Sequence, residues 1–239
     1  MRLNIADYSK LIALPHAIFA LPFALVGYRL AELNMPSGTS YNRFTTVVLI
    51  IFAVLSARTA ALSWNRVVDI DIDKANPRTK DRELPKGVIS VRQAKVLTIS
   101  AASIFLICAS LLGIHCLVLT PLVIFVLLGY SYSKRFTWLC HFILGLALGL
   151  APYGAWWVLI PSVDVIPTVL LSAVTLWVAG FDILYSLQDI NFDRQAGLYS
   201  IPVKFGVERS LYIARVIHFI SALLFWYLAY AAHLPKTYI

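Results

Sequence analysis

Residues 45–73 read TTVVLIIFAVLSARTAALSWNRVVDIDID, an apolar run of bilayer-spanning length that closes on three aspartates in alternate positions. The run is long enough to cross a hydrocarbon core of about 30 Å as a helix, and only Arg58 interrupts it before Asn65. Working outward, comparable runs lie near 11–31, 95–113, 116–132, 137–160, 166–186 and 208–231. The expected fold is therefore all-α, a polytopic bundle of about seven transmembrane helices in a single domain covering 1–239. The first run is expected to be a retained helix and not a cleaved signal, because it is long and contains Pro15 and Pro22.

Composition agrees: 60% of the 239 residues are hydrophobic and 13% are charged. A soluble domain spends about a quarter of its residues on charge, so a soluble domain, a disordered module and an ordinary nucleic-acid reader are excluded. Twenty Lys and Arg against twelve Asp and Glu give a net charge of +8. Most of that excess falls in alternate loops: Arg2 and Lys10, then Lys74 through Lys95, then Lys134 and Arg135, then Arg194, Lys204 and Arg209, against Arg43 and Lys236 on the other side. Positive loops stay cytoplasmic, so the N-terminus and the basic loops are expected on that face, in a bacterial inner membrane. Cys108, Cys116 and Cys140 show neither a disulfide framework nor zinc spacing.

Eight of the twelve acidic residues sit in two clusters, which sets them apart from scattered surface charge. In Asn65-x3-Asp69-x3-Asp73 the four-residue steps place the three side chains on one face of a helix, with Asp71 pointing elsewhere. Tyr185-x3-Asp189-x3-Asp193-x3-Gly197 repeats the spacing at the end of the sixth run. Each motif precedes a basic loop with a proline and a glycine, Leu84-Pro85-Lys86-Gly87 and Ile201-Pro202-Val203-Lys204-Phe205-Gly206, as in a weak parallel duplication. Four carboxylates facing one cavity at the edge of a low-dielectric medium need a cation between them. Magnesium, which binds through one or two carboxylates and completes its shell with water and substrate phosphates, is the natural occupant. A diphosphate substrate follows, with Arg66, Arg78, Arg82, Lys134, Arg135 and Arg194 neutralising its free oxygens.

These motifs, with Asn76-Pro77-Arg78-Thr79, Arg82-Glu83-Leu84-Pro85-x-Gly87 and Tyr130-Ser-Tyr132-Ser-Lys134-Arg135, resemble the UbiA-type intramembrane aromatic prenyltransferases, nearest to the 4-hydroxybenzoate polyprenyltransferase branch and its menaquinone relatives of the futalosine route. The resemblance implies a helical bundle around a central cavity open to the cytoplasmic face. It implies Mg2+, held through the diphosphate by Asn65, Asp69, Asp73, Asp189 and Asp193. It implies transfer of a polyprenyl group from polyprenyl diphosphate to the ring of a small aromatic acid, for ubiquinone or menaquinone synthesis, within the lipid bilayer and with no nucleic-acid partner. Tyr130, Tyr132 and Tyr185 would stabilise the allylic cation through their ring faces. The family pattern has nine helices, so seven runs predict that two wall-forming helices are absent. The alternatives are another prenyl transfer of the same family, with haem or a different acceptor, and an ion-coupled transporter. The transporter reading is disfavoured because the acids lie at the helix ends and neither acidic helix carries a Gly or Pro break.

Arg58 and Asp182 lie within their spans, each seven residues before its acidic motif and roughly 10 Å deeper at 1.5 Å per residue. Both are expected to face the cavity, either paired with each other or with Arg58 taking the acceptor's carboxylate; a purely structural ion pair is the other reading. His16 is expected to satisfy carbonyls freed by Pro15 and Pro22. Gly145, Gly149 and Gly154 are read as close helix packing, and Tyr153, Trp156 and Trp157 as an outer aromatic belt.

Overall fold

Helix boundaries in the computed structural model follow from local chemistry at each end. Residues 5–12, 18–36 and 40–232 are described, and every regular element among them is helical. Arg2, Pro15, His16 and Lys236 lie outside the described residues. The helices are α1 (Ile5–Leu11), α2 (Leu21–Asn34), α3 (Arg43–Val68), α4 (Ile70–Ala75), α5 (Val91–Leu112), α6 (Ile114–Ser133), α7 (Cys140–Trp157), α8 (Val165–Ser186), a 3₁₀ turn (Leu187–Asp189), α9 (Ile190–Gln195) and α10 (Ile201–Ala231).

Four helices start on a side-chain cap, which satisfies amides that a helix leaves without partners. Asn42 accepts from Thr45 N–H at 3.0 Å, Asp164 from Ile166 N–H at 3.3 Å and Ser200 from Val203 N–H at 3.2 Å. Ser90 and Gln93 form a reciprocal capping box at the head of α5. Among the described residues, five helices are long and apolar enough to cross a membrane: α3, α5, α6, α8 with its continuation to Gln195, and α10. Among the seven expected spans, α2 and α7 are the short ones, at 14 and 18 residues. Large exposed apolar side chains such as Ile107, Phe125, Phe219 and Trp226 are the surface a lipid-facing helix presents.

The chain resolves into two units. The first comprises 1–21 and 42–131. Here α3 packs on α5, and Ser63 Oγ meets Thr98 Oγ1 at 2.8 Å inside that contact. Small buried residues, Ala53, Ala57, Ala60 and Ala61 on α3 and Ala94 and Ala101 on α5, permit close approach. Leu11, Leu84, Ile89 and Ala94 form a buried cluster with Val67 and Ile70 against it, which pins the loop after α4 to the end of α3.

The second unit comprises 22–41 and 132–239, with α8 packed against both α7 and α10. A Cβ on Gly145 would overlap the Thr175 carbonyl, one on Gly149 would stand 2.8 Å from the Leu171 carbonyl oxygen, and one on Gly27 would overlap the Pro152 carbonyl. Gly154 has nothing nearby, so the packing role expected for it is not met. Trp156 departs from the expected aromatic belt: it is 1% exposed and belongs to the core with Leu148, Leu170 and Val174, while Tyr153 and Trp157 stack on each other at 6.1 Å. The segment Ile201–Gly206, expected as a loop, opens α10 as a helical turn and kinks it at Gly206, whose φ of 79° suits glycine.

Candidate active site

Neither acidic motif sits on the unbroken helix that its spacing suggested. In the first unit α3 ends at Val68, Asp69 occupies the junction with φ −92° and ψ 7°, and α4 resumes at Ile70. The hydrogen-bond ladder nevertheless runs through, from Asp69 N–H to the Asn65 carbonyl at 2.9 Å and from Asp73 N–H to the Asp69 carbonyl at 2.7 Å. In the second unit the 3₁₀ turn Leu187–Asp189 follows α8, and Asp189 stands at its junction with φ −104° and ψ 3°. A 3₁₀ turn of three residues adds roughly 60° of rotation relative to an α-helix, so Tyr185 and Asp189 leave the straight face expected of them. The two motifs thus repeat a backbone device, an aspartate in the bridge region between a long helix and a six-residue one. No glycine or proline is used, so the sequence carries no mark of either break.

Around the first motif, Asn65 Nδ2 donates to Asp69 Oδ2 at 3.1 Å. Asp69 and Asp73 are 4% and 5% exposed. Burial of the Asp73 carboxylate is compensated by Arg82, whose Nη1 lies 2.9 Å from both oxygens, with Arg66 Nη1 at 4.0 Å. Arg66 Nε also donates to the Leu11 carbonyl at 3.3 Å. Arg66 and Arg82, expected at the phosphate, are therefore at an aspartate in this structure. Asn76 explains its place in the motif: it follows α4, its Oδ1 accepts from Arg78 N–H at 2.9 Å, and Thr79 Oγ1 donates to the Asp73 carbonyl at 3.1 Å. The Arg78 side chain is exposed, as is Asp71. The Tyr130 hydroxyl lies within electrostatic reach of Arg58, Arg66 and Asp69. Arg58 itself is 6% exposed, and its Nε and Nη1 have no hydrogen-bond partner.

Around the second motif, Gly197 has φ 66° and ends α9 in a Schellman turn: Leu198 N–H donates to the Asp193 carbonyl at 2.9 Å and Gly197 N–H to that of Arg194 at 3.4 Å. The glycine four residues after Asp193 is thus the stop signal of the helix that carries it. Asp189 and Asp193 are half-buried, as are Lys134 and Arg135, whereas Tyr132, Tyr185 and Arg194 are exposed. Tyr199 N–H donates to the Lys134 carbonyl at 2.8 Å, which ties that basic segment to the loop after α9, and Arg135 lies over the Tyr132 ring at 5.8 Å. Lys204 sits 4.3 Å from the centroid of Trp138.

Asp182 does not pair with Arg58. Its partner is His141, at 2.7 Å from Nδ1 to Oδ2. Nε2 of the same ring accepts Ile201 N–H at 3.2 Å, in the first turn of α10. An acceptor nitrogen carries no proton, so His141 is the neutral Nδ1–H tautomer and donates to the carboxylate. Sequence reasoning passed over His141, which stands at the head of an apolar run; a buried histidine and a mid-span aspartate in one chain were the available signal.

Among the described residues no three His, Cys, Asp or Glu side chains form a ready metal cage. The donor set is all oxygen, which suits magnesium, a cation held by one or two carboxylates with the remaining positions left to water and phosphate.

A sequence model of the UbiA prenyltransferase family matches residues 20–239. The chain belongs to this family. It is 30% identical over 178 residues to a 4-hydroxybenzoate octaprenyltransferase of Francisella tularensis subsp. novicida, a match covering 74% of this chain and 62% of the relative. The chain thus matches about three-fifths of that curated relative's length. Among solved structures, a UbiA homolog from Aeropyrum pernix K1 superposes with a TM-score of 0.86 at 35% identity, covering 94% of this chain and 82% of that one. A UbiA homolog from Archaeoglobus fulgidus, solved with GPP and Mg2+, shares the fold at a TM-score of 0.74 and 24% identity, covering 93% and 77%. Family membership and the five long apolar helices make this UbiA-family chain an integral membrane protein.

Proposed function

We propose that the protein transfers a polyprenyl group from polyprenyl diphosphate to the ring of a hydroxy-aromatic acid such as 4-hydroxybenzoate, with Mg2+ as cofactor, in ubiquinone or menaquinone synthesis. The observation that carries the proposal is the repetition of Asp69-x3-Asp73 and Asp189-x3-Asp193 at equivalent helix junctions, each with its first aspartate in the bridge region of the backbone. The relative from Francisella and the Archaeoglobus structure with GPP and Mg2+ support the same reading. In it, Asn65, Asp69, Asp73, Asp189 and Asp193 hold the metal through their oxygens and the diphosphate. The chemistry supplied by bound magnesium is withdrawal of charge onto the leaving diphosphate.

The remaining steps belong to the chain. Lys134, Arg135, Arg78 and Arg194 bring charge to phosphate oxygens, Arg as a planar donor and Lys as a point charge. Arg82 and Arg66 hold the Asp73 carboxylate in place until the substrate arrives. Ring faces of Tyr130, Tyr132 and Tyr185 shelter the allylic cation, which the electron-rich ring attacks at carbon before losing its ring proton. The basic loops set the orientation, with both motifs and the N-terminus at the cytoplasmic face of a bacterial inner membrane.

The test is incubation of purified protein in lipid with labelled prenyl diphosphate and a panel of 4-hydroxybenzoate, dihydroxynaphthoate and haem, with and without magnesium. A magnesium-dependent prenylated aromatic acid is expected. Product with haem alone would move the protein to another branch, and no product with any acceptor would overturn the proposal.

A further inference from the structure

We propose that the groove between α1 and the head of α5 is a binding site for an anionic glycerophospholipid, with the phosphate on Arg92 and one acyl chain along Val96, Leu97 and Ser100. The site includes no residue of either acidic motif and does not depend on the prenyl-transfer reading.

The groove has a volume of about 500 Å³ and is lined by Tyr8 of α1 and by Arg92, Gln93, Val96, Leu97 and Ser100 of α5. Small-ligand sites span about 300–1,000 Å³. Charge sets the depth of the groove in the membrane. After Lys95 no Asp, Glu, Lys or Arg occurs before Lys134, so α5 passes from the interface into the hydrocarbon within the next turn. Arg92 and Gln93 therefore stand at the watery end of the groove. Ser100, eight residues on from Arg92 or roughly 12 Å along the helix, stands at its apolar end. Val96 is 56% exposed and the neighbouring Ile99 67%, so this side of α5 faces lipid.

The polar end has cations without protein counter-charges. Arg92 and Lys95 are exposed, and among the described residues neither makes an ion pair or a side-chain hydrogen bond; Asp7, the acid on α1, pairs with neither. The amides at the head of α5 are already capped by Ser90. Gln93 uses its Oε1 to accept from Ser90 N–H at 2.8 Å, which leaves its Nε2 as a further donor beside Arg92. A phosphodiester supplies the oxygens that a guanidinium and an amide N–H can share. An acyl chain supplies the cover that Val96 and Leu97 need and that a soluble anion cannot give. Basic pockets beside spanning helices at the membrane surface select anionic headgroups, whereas a zwitterionic lipid carries its own cation next to the phosphate.

Occupancy has a structural consequence. Tyr8 and Leu97 line the groove and also pack against the cluster of Leu11, Leu84, Ile89 and Ala94 that pins the loop after α4. A lipid seated between Tyr8 and α5 braces residues distant in sequence, and a ligand that binds only the folded state raises its stability by mass action.

The experiment is native mass spectrometry of the full chain with phosphatidylglycerol and phosphatidylcholine, paired with thermal unfolding in phosphatidylcholine nanodiscs with and without phosphatidylglycerol. Wild type is expected to bind phosphatidylglycerol about tenfold or more tighter than phosphatidylcholine and to unfold at a higher temperature in its presence. The double variant Arg92→Gln with Lys95→Gln should bring the ratio within about twofold of unity and remove the thermal shift. Lys74→Gln with Lys80→Gln, an equal loss of charge at exposed positions outside the groove, should keep both. Val96→Trp, which fills the groove without altering charge, should weaken binding of both lipids about fivefold. Arg92, Lys95 and Val96 are exposed, so these changes leave the packed interior intact. A wild type without preference, or an Arg92 and Lys95 variant that keeps it, overturns the inference. An equal loss in the Lys74 and Lys80 variant overturns it too, by making the preference a matter of net charge. Unchanged lipid binding in Val96→Trp also overturns it, and a changed oligomeric state there would assign the groove to a contact between copies. Weaker binding of a prenyl diphosphate to the Arg92 and Lys95 variant, with phosphatidylglycerol preference unaltered, would assign the groove to the substrate instead.

Discussion

Replacing His141 with leucine removes two hydrogen bonds at nearly constant side-chain size, and the structure sets the cost. His141 is 2% exposed; it donates to Asp182 at 2.7 Å and accepts from Ile201 N–H at 3.2 Å. Leaving the Ile201 amide buried and unpaired costs about 1–3 kcal/mol, and losing a bond to a charged carboxylate costs about 1.5–3 kcal/mol. Asp182 retains 28% side-chain exposure, so the lower half of that second range applies. The total is roughly 3–5 kcal/mol, which for a chain of this size lowers the unfolding midpoint by roughly 6–20 °C. Thermal unfolding in nanodiscs, followed by far-UV circular dichroism, measures it. The sharper test is the double variant His141→Leu with Asp182→Leu. Removing both partners abolishes the stranded carboxylate, so the double variant should be more stable than His141→Leu alone by about 1.5–2 kcal/mol. A double variant no more stable than the single one would refute the reasoning, because it would mean that the carboxylate was never dependent on the ring.

Gly145→Ala drives a methyl into the Thr175 carbonyl and should cost about 1–3 kcal/mol, whereas Gly154→Ala, with open space around it, should stay within about 0.5 kcal/mol; the same unfolding assay compares them. Gly197→Ala imposes a Cβ on a residue with φ 66°, costing about 1 kcal/mol, and should reduce prenyl transfer by loosening the end of α9 below Asp193; a thermal midpoint and a turnover number read the two effects. Asp69→Asn and Asp189→Asn, each separately, should lower turnover by about a hundredfold or more and abolish the magnesium dependence of prenyl diphosphate binding, measured by filter binding across a magnesium titration. Wild-type turnover in either variant removes that residue from the site.

Much of the architecture is legible from apolar runs, since a helix of spanning length must be apolar wherever it meets lipid. The expected runs at 45–68, 95–113, 116–132 and 166–186 fall within a few residues of α3, α5, α6 and α8. The caps at Asn42, Ser90, Asp164 and Ser200 stand where cap residues meet those runs. The acidic motifs were legible because lipid makes stray carboxylates expensive, so eight in two clusters need a reason. What stayed hidden depends on contacts between distant residues. Arg82 reaches back nine positions to Asp73 through a loop whose path the sequence does not state. His141 finds Asp182 across 41 residues and Ile201 across 60. Trp156 was misplaced because an aromatic near a span end suits the interface and the core alike, and packing against Leu148 and Leu170 decides it. The breaks at Asp69 and Asp189 escaped for a different reason: residues of ordinary conformational preference make them.

The discontinuity of the two units has a consequence for synthesis. Helix α2 is made early, yet its packing partners come from the second half of the chain: Gly27 meets the Pro152 backbone, and Leu30 and Ala31 join Leu148, Trp156 and Val174. At ribosomal rates of about 5–20 residues per second, the ~125 residues between Gly27 and Pro152 take roughly 6–25 s to make. Throughout that interval α2 lacks these partners, while α3 and α5, only some 40 residues apart, can close their contact as they emerge. The nascent protein must therefore hold one early helix in waiting, in lipid or in the care of the insertion machinery, until α7 and α8 arrive.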